Sequence, residues 1–89
     1  MSYYKDKTEI FNYIHEGNLR PRQMLYMLFV DRFEISRATA KELFYTILFG
    51  GNVKRINMLD GVSDFTEEDL AFAQWMINTT YLAEIEKSI

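Results

Sequence analysis

Residues 24–51 read MLYMLFVDRFEISRATAKELFYTILFGG, and their spacing decides the fold. Met24 to Phe33 is apolar almost all round, which predicts a buried central helix. Ser36 suits the N-cap of the next helix, because its hydroxyl can accept from an otherwise unpaired backbone N–H. Within that helix Ala40, Leu43, Phe44, Ile47 and Leu48 recur at i, i+3, i+4, i+7 and i+8, an amphipathic pattern. Gly50 and Gly51 stop it.

Upstream, Pro21 suits the first turn of the central helix, where its missing N–H would have no partner anyway. An earlier helix starts at Asp6, with Glu9 three residues on as in a capping box. It carries an apolar stripe of Ile10, Phe11 and Ile14, and Gly17-Asn18 ends it with the geometry of a C-terminal cap. Downstream come a short turn with Val53 and Ile56, then Asp60-Gly61. Thr66 with Asp69 caps the last helix, and Phe65 with Leu70 reads as a hydrophobic staple. Its inner face is read as Leu70, Ile77, Tyr81 and Ile85, widened by Phe72, Trp75, Met76 and Leu82. Strict alternation is scarce, and no repeat or linker divides the chain. The expectation is one all-α domain over residues 1–89, built from four or five helices.

Composition narrows the chemistry. With 48% hydrophobic and 16% aromatic residues, the 89-residue chain has enough apolar surface for a core. Cysteine is absent, which excludes disulfides, thiolate zinc sites and cysteine nucleophiles. One histidine cannot form a His-rich metal centre. No apolar run approaches the roughly 18–20 residues of a membrane span, and residues 1–10 are too polar for a signal peptide. A chain of the cytosol, without membrane contact, metal or cofactor, is expected.

The net charge of −3 conceals a division. Residues 1–59 hold nine Lys/Arg against six acids, whereas residues 60–89 hold seven acids against Lys87 alone. The split fits an anion-facing surface beside a separate acidic one, or two helices docked through complementary charge. On the helix after Ser36, Arg37, Lys41 and Tyr45 recur at i, i+4 and i+8. A guanidinium grips phosphate oxygens with a planar fork, an ammonium acts as a compact charge, and a ring offers a flat face. The same spacing also fits a solvated face with Tyr45 at the core margin.

Arg37, Lys41 and Tyr45 fall on R-x3-K-x3-(F/Y), with Phe49-Gly50 standing for the closing Tyr-Gly, so the helix resembles motif B in the fingers of family A DNA polymerases. The likeness extends over residues 10–87, through Glu16-Gly17-Asn18 upstream and Lys54-Arg55-Ile56 and residues 73–85 downstream. It implies that Arg37 and Lys41 contact an incoming triphosphate and that Tyr45 packs on its sugar and base. Thr46 stands where the family has glycine, and Leu19-Arg20-Pro21 where it has Asp-Ile-His. The palm's metal-binding carboxylates lie outside the matched stretch, and two-metal phosphoryl transfer needs them. The resemblance therefore implies a fingers-like module without catalytic residues. A phage or mobile-element protein in a host cytosol, binding or obstructing a replication or defence enzyme, follows from it.

Residues 24–49 also fit a helix-turn-helix regulator, with Ile35 to Ala40 opening a recognition helix. Arg37 and Lys41 would then face DNA, and Arg20, Arg22, Lys54 and Arg55 would meet phosphates. Glu34 occupies the position where such a turn wants glycine. Other candidates are weaker. Residues 60–69 are acidic but lack the glycine and terminal glutamate of a calcium loop. His15 beside Glu16 has no nucleophile in view and reads as a marginal helix-end histidine. Tyr3, Tyr4, Tyr13, Tyr26, Tyr45, Tyr81 and Trp75 exceed the needs of a small core, so part of this set is expected to meet a protein partner.

Overall fold

Asp6, Ser36, Asn52 and Thr66 each turn a side-chain oxygen onto the backbone N–H three residues ahead, and each opens a helix. In a computed structural model describing residues 6–88, these helices are α1 (Lys7–Glu16), α2 (Pro21–Phe33), α3 (Arg37–Leu48), α4 (Val53–Ile56) and α5 (Glu67–Lys87). No strand occurs among the described residues. The expected Thr66–Asp69 capping box is complete in both directions. Tyr3 and Tyr4 lie outside the described residues.

The radius of gyration is 12.5 Å, against about 12 Å expected for a compact chain of this length. The fold is all-α, with α2 at its centre between α3 and α5. α2 buries Met24, Leu25, Tyr26, Leu28 and Phe29, a spread too wide for one stripe because the helix is covered on two sides. Met27, at 46% exposure, shows that its third side faces solvent. α5 runs antiparallel to α2: Phe33 meets Phe65 near the start of α5, and Arg22 lies beside Tyr81 near its end. α1 runs parallel to α5, with Lys7 over Trp75 at one end and Lys87 reaching the Ile14 and Gly17 carbonyls at the other.

Several expected faces shift by one position. α5 buries Ala73, Met76, Ile77, Thr80 and Ala83, while Leu82 and Ile85 are about 60% exposed. Small side chains let the helices approach closely, and Thr80 Oγ1 donates to the Met76 carbonyl at 2.7 Å, so its buried hydroxyl is satisfied. In α3, Thr39 is buried while Leu48 is exposed. Thr39 Oγ1 donates to the Asp60 carbonyl at 2.9 Å, which fastens the following loop to α3. Phe11 also leaves the core and stacks on His15 instead.

Gly17 does not adopt the expected left-handed cap; its φ is −71°. Its small size matters instead, since a Cβ there would press on Met24 Sδ and the Tyr13 carbonyl at 2.9 Å. Gly50, at φ 79°, is the left-handed residue of a Schellman ending. Its N–H donates to the Ile47 carbonyl and the Gly51 N–H to that of Thr46. The chain reverses there, and α4 returns alongside α3.

Candidate functional site

Pro21 fixes the start of α2, and the preceding residue, Arg20, supplies no side-chain acceptor to cap it. This uncapped, dipole-positive end opens beside the N-terminal half of α3. Between them lies a groove of about 600 Å³, bounded on the far side by Tyr81 of α5. Its volume falls within the roughly 300–1,000 Å³ typical of ligand sites.

Arg20, Arg22, Arg37 and Lys41 line the groove together with Tyr26, Tyr45 and Tyr81. The expected trio on α3 is therefore joined by two of the four auxiliary bases. No carboxylate lines the groove, and among the described residues none of these four cations has an ion-pair partner. The acidic segment contributes a tyrosine here and no charge. Lys54 and Arg55 lie elsewhere, on α4, because the Gly50-Gly51 reversal carries them past the end of α3. Arg55 borders a separate depression that shares Tyr45 with the groove.

The rings are held by the cations they border. Arg22 Nη1 donates to Tyr45 Oη at 3.3 Å, and its guanidinium lies 5.9 Å from that ring's centroid. The Arg37 guanidinium lies 5.8 Å from the Tyr26 ring, and the Tyr26 ring meets Phe44 edge-on at 5.8 Å. Both cation–ring distances fall within the range of cation–π attraction. The Tyr81 hydroxyl, followed by the Tyr45 phenol, pushes the Arg22 pKa further above its ordinary value. Burial, followed by the neighbouring Tyr45, pushes the Tyr26 phenol up, so its floor position stays neutral.

Tyr26 and Tyr81 are site residues that the sequence pattern passed over, since each sits in an apolar run. The signal available was the hydroxyl itself: phenylalanine would have served a purely apolar role. Tyr26 is buried, and Tyr13, Tyr45, Trp75 and Tyr81 are half-buried. Among the described residues the ring most open to solvent is Phe49, at 85% exposure.

Elsewhere, His15 Nδ1–H donates to the Phe11 carbonyl at 3.0 Å, and Nε2 faces Glu86 at 3.6 Å. No helix of the described residues is long and apolar enough to cross a membrane. No family model, curated protein or solved structure matches the chain. The groove's chemistry is therefore read from its own residues.

Proposed function

We propose that this domain is a non-catalytic binding module whose groove takes the phosphates of a nucleotide. The convergence of four cations and three tyrosines, with no acid among them, carries the reading. Arg37 and Arg22 supply planar forks for phosphate oxygens, and Lys41 supplies a compact charge between them. Tyr45, oriented by the Arg22 hydrogen bond, offers its ring to the sugar or base. The spacing shared with the polymerase fingers helix supports the same roles for Arg37, Lys41 and Tyr45. No bond-breaking step is assigned, because the lining offers no carboxylate to clamp a metal ion or to act as a base.

Titration with a nucleoside triphosphate, followed by amide NMR, tests the reading. The resonances of Arg37, Lys41 and Tyr45 are expected to move, and Lys41→Ala is expected to abolish the effect. Inorganic triphosphate should compete, whereas the uncharged nucleoside should not. Absence of any shift at low salt would sink the proposal.

One observation favours a helix-turn-helix reading. Glu34 adopts the left-handed conformation, at φ 54° and ψ 49°, and Ser36 caps α3 two residues later. The turn thus has the backbone conformation for which glycine was expected. However, a recognition helix must stand clear of its neighbours to enter the major groove. Arg37 and Lys41 instead border a concavity walled by α2 and Tyr81. Tight binding of duplex DNA, with single strands excluded, would restore this reading.

A further inference from the structure

Phe49 closes α3 with its side chain 85% exposed, although phenylalanine gains by burial. Its ring lies within 19° of parallel to Tyr45, at a centroid distance of 6.4 Å, so it extends the aromatic surface beyond the groove's own lining. Beyond it lies a depression of about 240 Å³ bordered by Tyr45, Phe49 and Arg55. Arg55 also borders the next depression, of about 500 Å³, together with Lys54 and Met58. Neither depression is lined by a carboxylate. The surface therefore runs from the cationic groove over two rings to two further cations. Tyr45 and Arg55 are the shared links.

A lone nucleotide uses only the first part of this track. We propose that the groove and its extension bind a single-stranded nucleic acid, with neighbouring strand phosphates at Arg37 and Lys41. A neighbouring base stacks on Phe49, and the backbone continues to Arg55 and Lys54. The proposal rests on the phosphate-binding reading of the groove and adds the class of ligand. An aromatic platform between cations suits an unpaired strand, because every base offers a flat face and the backbone carries a charge at each step. A duplex keeps its bases paired and stacked internally, so it cannot use Phe49 in this way.

Fluorescence anisotropy on the full chain, using labelled oligodeoxyuridylate and oligouridylate of about eight nucleotides, tests the proposal. Thymidine triphosphate and a duplex of the same length serve as comparators. The single strands are expected to bind more tightly than either. Phe49→Ala should weaken strand binding by roughly 5- to 150-fold while leaving triphosphate affinity unchanged, and Phe49→Tyr should retain it. Arg55→Ala should likewise weaken only the strand. Binding of either oligomer in this pattern supports the proposal, and the tighter one identifies the sugar. If Phe49→Ala leaves strand affinity unchanged, or the duplex binds equally well, the proposal is overturned while the groove reading survives. If the triphosphate also fails to bind, the groove reading falls, and this proposal with it.

Discussion

Salt should reveal how many cations of the groove meet phosphate. Each phosphate of a single strand neutralised by the protein contributes about −0.7 to the slope of log affinity against log salt concentration. The groove offers four cations. If all four engage, the slope is about −2.8, and affinity falls about 50-fold between roughly 50 and 200 mM salt. A strand that also reaches Lys54 and Arg55 steepens the slope to about −4.2, and the loss over the same interval rises to about 300-fold. Arg37→Ala and Lys41→Ala should each make the slope shallower by about 0.7. Tyr45→Leu removes a stacking surface but no charge, so it should lower affinity at every salt concentration and leave the slope unchanged. Anisotropy titrations at four salt concentrations, repeated for each variant, supply the measurement. A wild-type slope shallower than about −1, or one that Lys41→Ala does not change, would refute the placement of phosphate on this helix.

Two further predictions concern how the site is held. The Asn57 amide donates to the Val53 and Phe65 carbonyls, and its oxygen accepts from the Phe65 N–H at 2.9 Å. Asn57→Ala should cost about 2–3 kcal/mol and lower Tm by roughly 10–20 °C; a urea midpoint equal to wild type would contradict this role. Tyr26 has its pKa raised above 10 by burial, so the folded chain retains a proton that the unfolded chain loses. Its contribution is constant below about pH 10 and is lost as pH rises through the folded-state value, at up to about 1.4 kcal/mol per unit. Tyr26→Phe should flatten that alkaline decline in urea denaturation, and an identical pH profile would contradict burial as the cause.

What could be read from the sequence was what depends on near neighbours along the chain. Ser36, Pro21 and the Thr66–Asp69 pair mark helix starts because capping needs only residues three apart. Arg37, Lys41 and Tyr45 were visible together because one helix sets their spacing. The inner face of α5 was misread for a related reason. Ala73, Thr80 and Ala83 are small, so the side that α2 approaches carries no stripe of large apolar residues to mark it. The far wall of the groove was invisible because Tyr81 arrives from a helix distant in sequence. The fates of the auxiliary bases were settled by backbone geometry: Pro21 holds Arg20 and Arg22 at the groove, while the Schellman turn at Gly50 carries Lys54 and Arg55 away from it.

The contact between Lys87 and the end of α1 has a consequence for the order of assembly. Lys87 Nζ donates to the Ile14 and Gly17 carbonyls at 3.2 and 2.9 Å, placing a positive charge where the dipole of α1 is negative. With ten residues, α1 is shorter than the roughly 12–15 residues at which an isolated helix becomes even marginal in water, and α5 is its principal docking surface. The stability of α1 therefore depends on its docking against residues 73–87 rather than on its own length. The α2–α3 hairpin, whose contacts are local, can form earlier. The α2–α3 pair can thus be in place before α1 docks and the domain closes.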